Sequence, residues 1–292
     1  MRYAIYGGSF DPLHLGHIAL IEAALRELPI DTLFVIPAYL NPFKNETFAP
    51  AHLRLAWVKK ALASYPKVVV LDDEAMAGRS VPTIESVEAL QLRYNPPSKP
   101  YLIIGADNVA RLPQWHRYEA LAKRVEFVVG TREGIAIDEA FRTLGIDVPI
   151  SSTQVRHHFT PQALPLSIRD EVSDYFNSRK TMQKRLEAIR SVLDDKKAED
   201  IEIIDLEGQE YIAKAVVIAT SLNARHGESL LNELRTQLKP KGEQFLATEE
   251  TGEWIVADLG DILVHIMTKA TREKYTMEQF LADVKAGRHL GR

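Results

Sequence analysis

The chain has 292 residues, 46% hydrophobic and 26% charged, which is the composition of a folded protein and a length that predicts two domains. It has no cysteine, which excludes disulfides, thiolate nucleophiles and zinc–thiolate sites. No apolar stretch is long enough to span a bilayer, and the chain opens on a strand rather than a signal peptide. We therefore expect a cytoplasmic protein with no membrane partner.

The charge is unevenly distributed along the chain. Residues 1–180 carry 20 basic and 20 acidic side chains, whereas residues 181–292 carry 16 and 20, so the net charge of −4 lies in the last part. An acidic domain is poorly suited to a nucleic-acid backbone, which disfavours DNA as a partner. It suits a basic protein surface instead.

The first motif follows a short apolar strand. Residues 7–17 read Gly-Gly-Ser-Phe-Asp-Pro-Leu-His-Leu-Gly-His and lead into an apolar-periodic segment. His14 and His17 are three apart, so they share one face at a helix N-terminus, where ring and backbone N–H groups together favour a phosphate. Gly16 between them would let a ligand approach the backbone. The alternative is a tight turn with two surface histidines.

Alternating strand and helix signals follow the first motif. We predict strands over residues 32–36, 67–71, 101–104 and 125–129, with the valine-rich second of these buried, and helices over residues 50–64, 83–93 and 167–178. Thr83 is a candidate cap for the helix that it opens. This alternation predicts a parallel sheet with helices on both faces and ligands at the carboxyl ends of the strands.

A second motif reads Ile-Ser-Ser-Thr-Gln-Val-Arg over residues 150–156. Hydroxyl side chains before a helix cap it and leave amides for an anion, and the Arg156 guanidinium can bind two phosphate oxygens. The alternative is an ordinary capped helix with a surface arginine.

The last part of the chain predicts a smaller α/β domain. Residues 177–180 are the best linker candidate, and Thr181 would cap a new helix that runs to about residue 197. We predict strands over residues 201–205, 211–219, 253–257 and 262–267, and helices over residues 228–239 and 277–286. The apolar run that ends at residue 219 predicts a central strand of a mixed sheet.

Together, the two motifs of the first part resemble the H-x-G-H nucleotidyltransferases, and among them the bacterial nicotinate-nucleotide adenylyltransferases. The resemblance covers residues 1–180 and implies a doubly wound, Rossmann-like domain. It implies transfer of AMP from ATP to nicotinate mononucleotide, giving deamido-NAD and pyrophosphate in NAD biosynthesis. Two alternatives stay open: adenylation of nicotinamide mononucleotide or phosphopantetheine, and a non-catalytic nucleotide sensor.

The resemblance implies roles for residues of this chain, with Mg²⁺ as the cofactor, bound mainly through ATP phosphates. The catalytic set is His14, His17 and Arg156; ATP and phosphate binding falls to Gly7, Gly8, Ser9, Phe10, Gly16, Gly105, Asp107, Ser152 and Thr153; acceptor binding falls to Lys44, Thr83, Trp115 and Arg132. No metal site built from protein ligands is expected. The family's Ser-Tyr-Thr is replaced here by Ser-Val-Pro-Thr over residues 80–83, which leaves the choice between nicotinate and nicotinamide open.

Residues 181–292 resemble the Iojap-type ribosomal silencing factors. The residues that carry the resemblance are 196–201, 218–221, 224–226, 252–261, 264–266 and 272–275, with departures at Lys214, Ala215 and Leu263. The resemblance implies binding to the large ribosomal subunit through a ribosomal protein at the subunit interface, so that subunit joining is blocked and translation repressed. Trp254, Asp258 and Arg272 are the candidates for that interface.

The rival interpretation of this domain is a second enzyme. Asp258 and Asp261, with Glu249 and Glu250 and with His265, could bind a metal. The two aspartates lack the alternate spacing that would place both carboxylates on one strand face, which disfavours this interpretation.

Overall fold

The computed structural model of the chain describes residues 1–44, 46–131, 136–146, 148, 150–286 and 288. The chain divides into two compact units, Met1–Phe176 and Asn177–Arg292. Each unit has its own sheet and its own hydrophobic core. Among the described residues, none of the helices combines the length and the apolarity needed to cross a membrane.

The sheet of the first unit is parallel throughout the part of the chain that the structure describes. Its strands are β1 (Tyr3–Gly8), β2 (Thr32–Pro37), β3 (Val68–Val70), β4 (Tyr101–Gly105), β5 (Glu126–Gly130) and β6 (Arg142–Leu144). They lie in the order β3-β2-β1-β4-β5-β6, all paired in parallel. The predicted doubly wound parallel sheet is confirmed.

Helices cover both faces of this sheet. They are α1 (Leu15–Glu27), α2 (Ala51–Leu62), α3 (Thr83–Tyr94), α4 (Ala106–Val109), α5 (Tyr118–Arg124), α6 (Ser152–His157) and the first part of α7 (Arg169–Asp195), which belongs to the second unit after Phe176. Alternate residues of a strand point to opposite faces. Ala4 and Tyr6 accordingly join the core under α1 and α2, whereas Tyr3 and Ile5 join the core under α3 and α5.

Two predictions about the first sheet need correction. The valine strand over 67–71 was expected to be buried, but β3 is an edge strand and Val69 is 41% exposed. Its apolar run does not reveal its place in the strand order, because that order depends on the other strands. Strand β6 was not predicted, since Arg142 and Thr143 are exposed and give no apolar signal.

Residues 177–180 do not form the predicted linker between two helices, because α7 continues through them to Asp195. Thr181 therefore does not cap a new helix. The 27 residues of α7 contain neither glycine nor proline, so nothing in their backbone preferences ends the helix early.

The second unit has a mixed sheet, as predicted. Its strands are β7 (Glu199–Asp205), β8 (Ala215–Ser221), β9 (Ala247–Glu250), β10 (Trp254–Asp258) and β11 (Ile262–Thr268), in the order β7-β8-β11-β10-β9. Strands β8 and β11 pair in parallel and the other neighbours are antiparallel. All seven residues of β8 are buried, which explains its continuous apolar sequence.

The helices of the second unit that follow β8 are α8 (Ala224–Leu238), α9 (Lys269–Tyr275) and α10 (Met277–Lys285). The leucines of α8 pack against the inner face of β8, β10 and β11. The strand predicted over 211–219 begins only at Ala215, because the Leu206 amide donates to the Lys214 carbonyl and closes a turn before it. Strand β9 and helix α9 were not predicted; both are short and mostly exposed.

Candidate active site

The candidate site lies where the strand order of the first sheet reverses. Strand β1 pairs with β2 on one side and with β4 on the other, so the segments that follow Gly8, Pro37 and Gly105 leave the sheet at the same edge. Ligands of parallel α/β sheets bind outside the carboxyl ends of the strands at such a point. The first motif occupies this edge.

The two histidines of the motif lie against each other. His14 is the N-cap residue of α1, and its ring stacks on that of His17 with 3.7 Å between centroids. The His17 Nδ1 atom accepts a hydrogen bond from the His14 amide at 3.2 Å. A neutral His17 ring therefore carries its proton on Nε2.

The ring of Phe10 packs against His17 of this pair. It is fully buried, and its ring meets His17 edge to face at 5.0 Å and Tyr6 at 5.4 Å between centroids. Its φ of 46° is uncommon for a residue with a side chain. A Cβ on Gly8 would lie 3.1 Å from the ring, so Gly8 leaves space for Phe10. Only the backbone of Phe10 can therefore bind a phosphate.

We expected Gly16 to let a ligand approach the backbone, and the structure shows a different role. A Cβ at this position would lie 3.0 Å from the His14 Nδ1 atom and 3.3 Å from the Ile150 carbonyl oxygen. The space beside Gly16 is therefore filled by the protein and not left for a ligand. Gly16 lets the start of α1 approach the second motif.

The second motif lies against the first. Ser151 caps α6: its hydroxyl accepts from the Gln154 amide at 3.1 Å, and Gln154 Oε1 accepts from the Ser151 amide at 2.9 Å. The Ser152 hydroxyl donates to the Pro12 carbonyl at 3.3 Å. The structure thus brings the predicted Ser152 to the histidine segment.

Arg156 makes the closest link between the motifs. Its Nη1 donates to the Asp11 carbonyl at 2.6 Å and lies 3.8 Å from the Asp11 carboxylate, while Nη2 donates to the Thr153 hydroxyl at 3.2 Å. The guanidinium is about one fifth exposed. It is therefore held by the protein and still open to a ligand.

Other charged groups converge on this place. The pKa of Lys44 is lowered, first by partial desolvation of its ammonium and then by the positive charge of Arg156, with Asp11 acting in the opposite direction. Burial, and then the charge of Asp107, raise the pKa of Tyr6. The Asp107 carboxylate lies over Gly105, where a Cβ would come within 2.6 Å of Oδ1. Gly105 and Asp107 therefore lie at this edge, at the end of β4, and Lys44 is affected by the charges of Arg156 and Asp11.

The remaining acceptor candidates are Thr83, Trp115 and Arg132, which belong to other segments of the first unit. Thr83 opens α3 but does not cap it, because Pro82 occupies the cap position. Trp115 follows a short 3₁₀ helix and packs against the core under α5, with a buried indole N–H that has no acceptor among the described residues. Arg132 lies outside the described residues.

The sequence did not identify the two buried charges beneath the site. Asp11 is 2% exposed, and its carboxylate accepts from the Phe48 amide at 2.8 Å and the Ala49 amide at 3.0 Å. Arg54 is fully buried and donates to the Ala49 carbonyl at 2.9 Å, Ser9 at 2.5 Å, Ala38 at 2.8 Å and Tyr39 at 2.6 Å. The signal that could have identified Arg54 is its position, because it lies at helical spacing from the buried apolar residues of α2.

The interface candidates of the second unit differ in their surroundings. Trp254 is partly exposed; its indole donates to His265 Nδ1 at 3.1 Å and its ring lies 4.9 Å from that of Tyr275. Burial lowers the pKa of His265 to about 4. Asp258 accepts from the Gly260 amide at 2.7 Å in a turn.

Arg272 is largely enclosed, and its guanidinium donates to the Asp200 carbonyl at 2.6 Å, the Thr220 hydroxyl at 2.8 Å and the Glu278 carboxylate at 2.5 Å. These contacts hold α9 to the sheet and leave little of the side chain for a partner. Of the carboxylates considered for a metal, Asp261 is engaged by Arg185, from which it accepts at 2.8 and 3.0 Å. Among the described residues, no group of three potential metal ligands occurs.

Two family models match this chain. One, described as cytidylyltransferase-like, matches residues 5–158, and the other, described as ribosomal silencing factor during starvation, matches residues 179–289. A probable nicotinate-nucleotide adenylyltransferase of a Nitratiruptor species is 42% identical over 178 residues, which are 61% of this chain and 100% of that protein. One of Campylobacter jejuni (serotype O:6) is 43% identical over 176 residues, 60% of this chain and 97% of that protein.

A solved structure, nicotinic acid mononucleotide adenylyltransferase of Plasmodium falciparum complexed with NaAD, aligns at 23% identity and a TM-score of 0.46. The alignment covers 55% of this chain and 84% of that one.

Proposed function

This chain belongs to the cytidylyltransferase-like family and carries a ribosomal silencing factor domain, and on that premise we propose that its first unit is a nicotinate-nucleotide adenylyltransferase. It transfers AMP from ATP to nicotinate mononucleotide and releases pyrophosphate. The observation that supports this best is the meeting of His14, His17 and Arg156 at the strand-order reversal. The near-complete coverage of relatives with that name supports the choice of acceptor.

The reaction needs positioning and charge neutralisation more than covalent help. A phosphate oxygen of the mononucleotide forms a bond to the α-phosphorus of ATP, and the bond from that phosphorus to the bridging oxygen of pyrophosphate breaks. The attacking phosphate is already ionised, so no general base is required. Donors fixed before the reaction stabilise the charge that develops on the α-phosphate.

Each group of the site has a distinct task in this proposal. His14 and His17 hold oxygens of the reacting phosphate, with the His17 Nε2–H as a donor. Ser152, Thr153 and Arg156 hold the β- and γ-phosphates that leave. Helix α6 has only six residues, so these side chains matter more than its dipole.

For the acceptor, we assign Lys44 to its phosphate and Trp115 and Thr83 to its ring. The charges of Arg156, Asp11 and Asp107 all act on the pKa of Lys44, which supports Lys44 as a candidate to bind the acceptor phosphate. Trp115 is partly exposed and packs against the core under α5, which suits a stacking surface.

The donor set fits a Mg²⁺ ion held by phosphate and water oxygens rather than by the protein. Both oxygens of Asp11 accept backbone amides, which leaves the exposed Asp107, after the end of β4, as a candidate carboxylate at this edge of the sheet. Mg²⁺ characteristically binds in this way, through substrate phosphates and water. It would neutralise charge on the leaving pyrophosphate.

Pyrophosphate release tests this proposal. ATP is supplied with nicotinate mononucleotide, nicotinamide mononucleotide, phosphopantetheine or no acceptor. We expect the highest kcat/KM with nicotinate mononucleotide. Faster turnover of either other acceptor would reassign the substrate, and ATP binding without turnover of any acceptor would favour a nucleotide sensor.

For the second unit, we propose binding to the large ribosomal subunit through a basic ribosomal protein, which prevents subunit joining. The match over residues 179–289 and the net charge of −4 over residues 181–292 support the proposal. Trp254 is the strongest interface candidate because it is partly exposed and held in place by His265. We place both functions in the cytoplasm, where ribosomes work.

Co-sedimentation of the full chain with purified large subunits tests the second function. Binding should weaken with salt, but less steeply than for a protein that neutralises many phosphates. Trp254→Ala should lose binding, whereas Ile212→Ala, at another exposed apolar residue of the same unit, should keep it. Equal binding to naked ribosomal RNA would overturn the proposal.

A further inference from the structure

Arg54 is the most deeply buried charge beneath the candidate site. It lies on α2, is fully buried, and has no carboxylate among its hydrogen-bond acceptors within the described residues; all four contacts are to main-chain carbonyls. Burying a guanidinium is costly unless its donors are satisfied. Its four carbonyl contacts satisfy these donors and join main-chain segments that an apolar side chain could not bind.

The four carbonyls belong to segments that form the edge of the site. Ser9 precedes Phe10 after β1, Ala38 and Tyr39 follow β2, and Ala49 receives the Asp11 carboxylate on its amide. A planar guanidinium presents its donors in a fixed fork, so it sets the relative orientation of the carbonyls that it binds. Arg54 thus fixes the loops after two adjacent strands at once.

The contact with Ser9 also determines the direction of an amide. In a trans peptide, the carbonyl and the following N–H point in opposite directions. With the Ser9 carbonyl on Arg54, the Phe10 N–H points away from the guanidinium, and within the described residues it donates to no protein acceptor. Such an N–H is able to receive an anionic oxygen.

The hydrogen-bonded segments around Arg54, which we call its frame, are also connected to Arg156 of the second motif through Asp11. Asp11 accepts the Phe48 and Ala49 amides with its side chain and Arg156 with its carbonyl. A shift of Ser9 or Ala49 would therefore also move the residue to which Arg156 is attached.

We propose that Arg54 is a positioning residue for adenylyl transfer, which acts through the main chain of Ser9, Ala38 and Tyr39 to hold the Phe10 N–H and Arg156 toward the reacting phosphates. This proposal rests on the transferase function proposed above. Because misplacement of reacting groups by about 1 Å can cost 10²-fold in rate, the loss of this frame should affect kcat beyond any effect on stability.

The test compares Arg54→Lys with Val58→Ala in the full chain. Val58 is fully buried on the same helix and belongs to the apolar core, so its truncation destabilises the protein without altering the loops. Unfolding temperature, kcat and both KM values are measured for each. We expect both variants to melt below the wild type, but only Arg54→Lys to lose kcat, roughly 10- to 100-fold, with the KM for the mononucleotide little changed.

Three results would overturn the proposal: wild-type kcat in a folded Arg54→Lys protein, the same loss of kcat in Val58→Ala, or loss of cooperative unfolding in Arg54→Lys, which would make Arg54 a folding residue. If the wild type itself turns over no acceptor, the transferase function fails separately. Calorimetric titration with ATP then still tests the positioning: weaker binding in Arg54→Lys with unchanged binding in Val58→Ala supports the part of the proposal in which Arg54 orients the groups that bind phosphate, and equal binding rejects it.

Discussion

The guanidinium of Arg156 donates to the main-chain carbonyl of Asp11 at 2.6 Å, across 145 positions of sequence. One contact thus joins the two motifs of the first unit. The same side chain bonds Thr153 through its other terminal nitrogen. A lysine has a single ammonium and cannot keep both contacts in the plane that a guanidinium defines.

We therefore expect Arg156→Lys to lower kcat/KM for ATP by about 10²-fold, the size of effect typical for one fixed charge-stabilising donor. The positive charge is kept, so the loss would report geometry rather than net charge. Steady-state kinetics of pyrophosphate release measures it. Arg26→Lys, at an exposed position of α1, is the control. Wild-type kinetics in Arg156→Lys would remove Arg156 from the site.

His17 has two tasks that substitutions can separate. Its Nδ1 caps the His14 amide, and its Nε2–H is the proposed donor to phosphate. His17→Ala should lose both, with kcat lowered by on the order of 10²-fold and stability by about 0.5–2 kcal/mol. His17→Asn can keep the cap through its amide oxygen, so it should recover stability but not kcat. Recovery of kcat in the asparagine variant would reduce His17 to a structural residue.

The two motifs of the site can be seen in the sequence, whereas the hydrogen bonds that Arg54 makes beneath them cannot. The histidine and Ser-Ser-Thr motifs are local strings, and Ser152 and Arg156 hydrogen-bond to the carbonyls of Pro12 and Asp11. Arg54 was passed over because the periodicity of α2 was assigned from apolar residues alone, although Arg54 lies at the helical spacing of its buried face. A buried arginine satisfied by carbonyls has no signature except its position.

The fold was predictable to a similar extent. Strands β1, β2, β4 and β5 carry apolar runs, and the helices between them are amphipathic, so their alternation specified a parallel sheet. The edge position of β3 and the presence of β6 and β9 depend on neighbours that are distant in sequence. The continuity of α7 depended on the absence of a helix breaker, whereas the prediction gave weight to polar residues that a helix tolerates.

Trp115→Ala should raise the KM for nicotinate mononucleotide more than the KM for ATP. A lost stacking contact costs roughly 1–3 kcal/mol, which corresponds to about a 5- to 150-fold change. Trp115→Phe keeps an aromatic face and should recover most of the affinity. If the alanine variant instead loses stability with both KM values unchanged, Trp115 serves the core under α5.

A buried carboxyl in the first unit predicts a pH dependence of stability. Glu74 accepts from the Ser86 hydroxyl at 2.5 Å, and burial raises its pKa to about 7, with Asp73 and Glu85 adding to the effect and the bond from Ser86 opposing it. The ordinary value is 4.5, so between the two pH values the folded protein binds more protons than the unfolded chain. Its stability contribution therefore falls as the pH rises from about 4.5 to about 7.

Glu74→Gln removes this titration and keeps an oxygen for Ser86. Relative to the wild type, its free energy of unfolding should rise with pH over the same window, by on the order of 2–3 kcal/mol in total. Urea titrations at several pH values measure this, with Glu126→Gln, at an exposed position of β5, as the control. A difference that is constant with pH would show that Glu74 stays ionised in the folded protein.

Gly8 and Phe10 are mutually dependent. The ring at position 10 fills the space that a side chain at position 8 would need, while the backbone at position 10 has the positive φ that a glycine adopts more easily. Neither position can change alone without loss: a side chain at 8 meets the ring, and a glycine at 10 relaxes the backbone but removes the support of His17. Sequence drift at these two sites should therefore be epistatic, and homologues that acquire alanine at the first position should carry a smaller residue at the second.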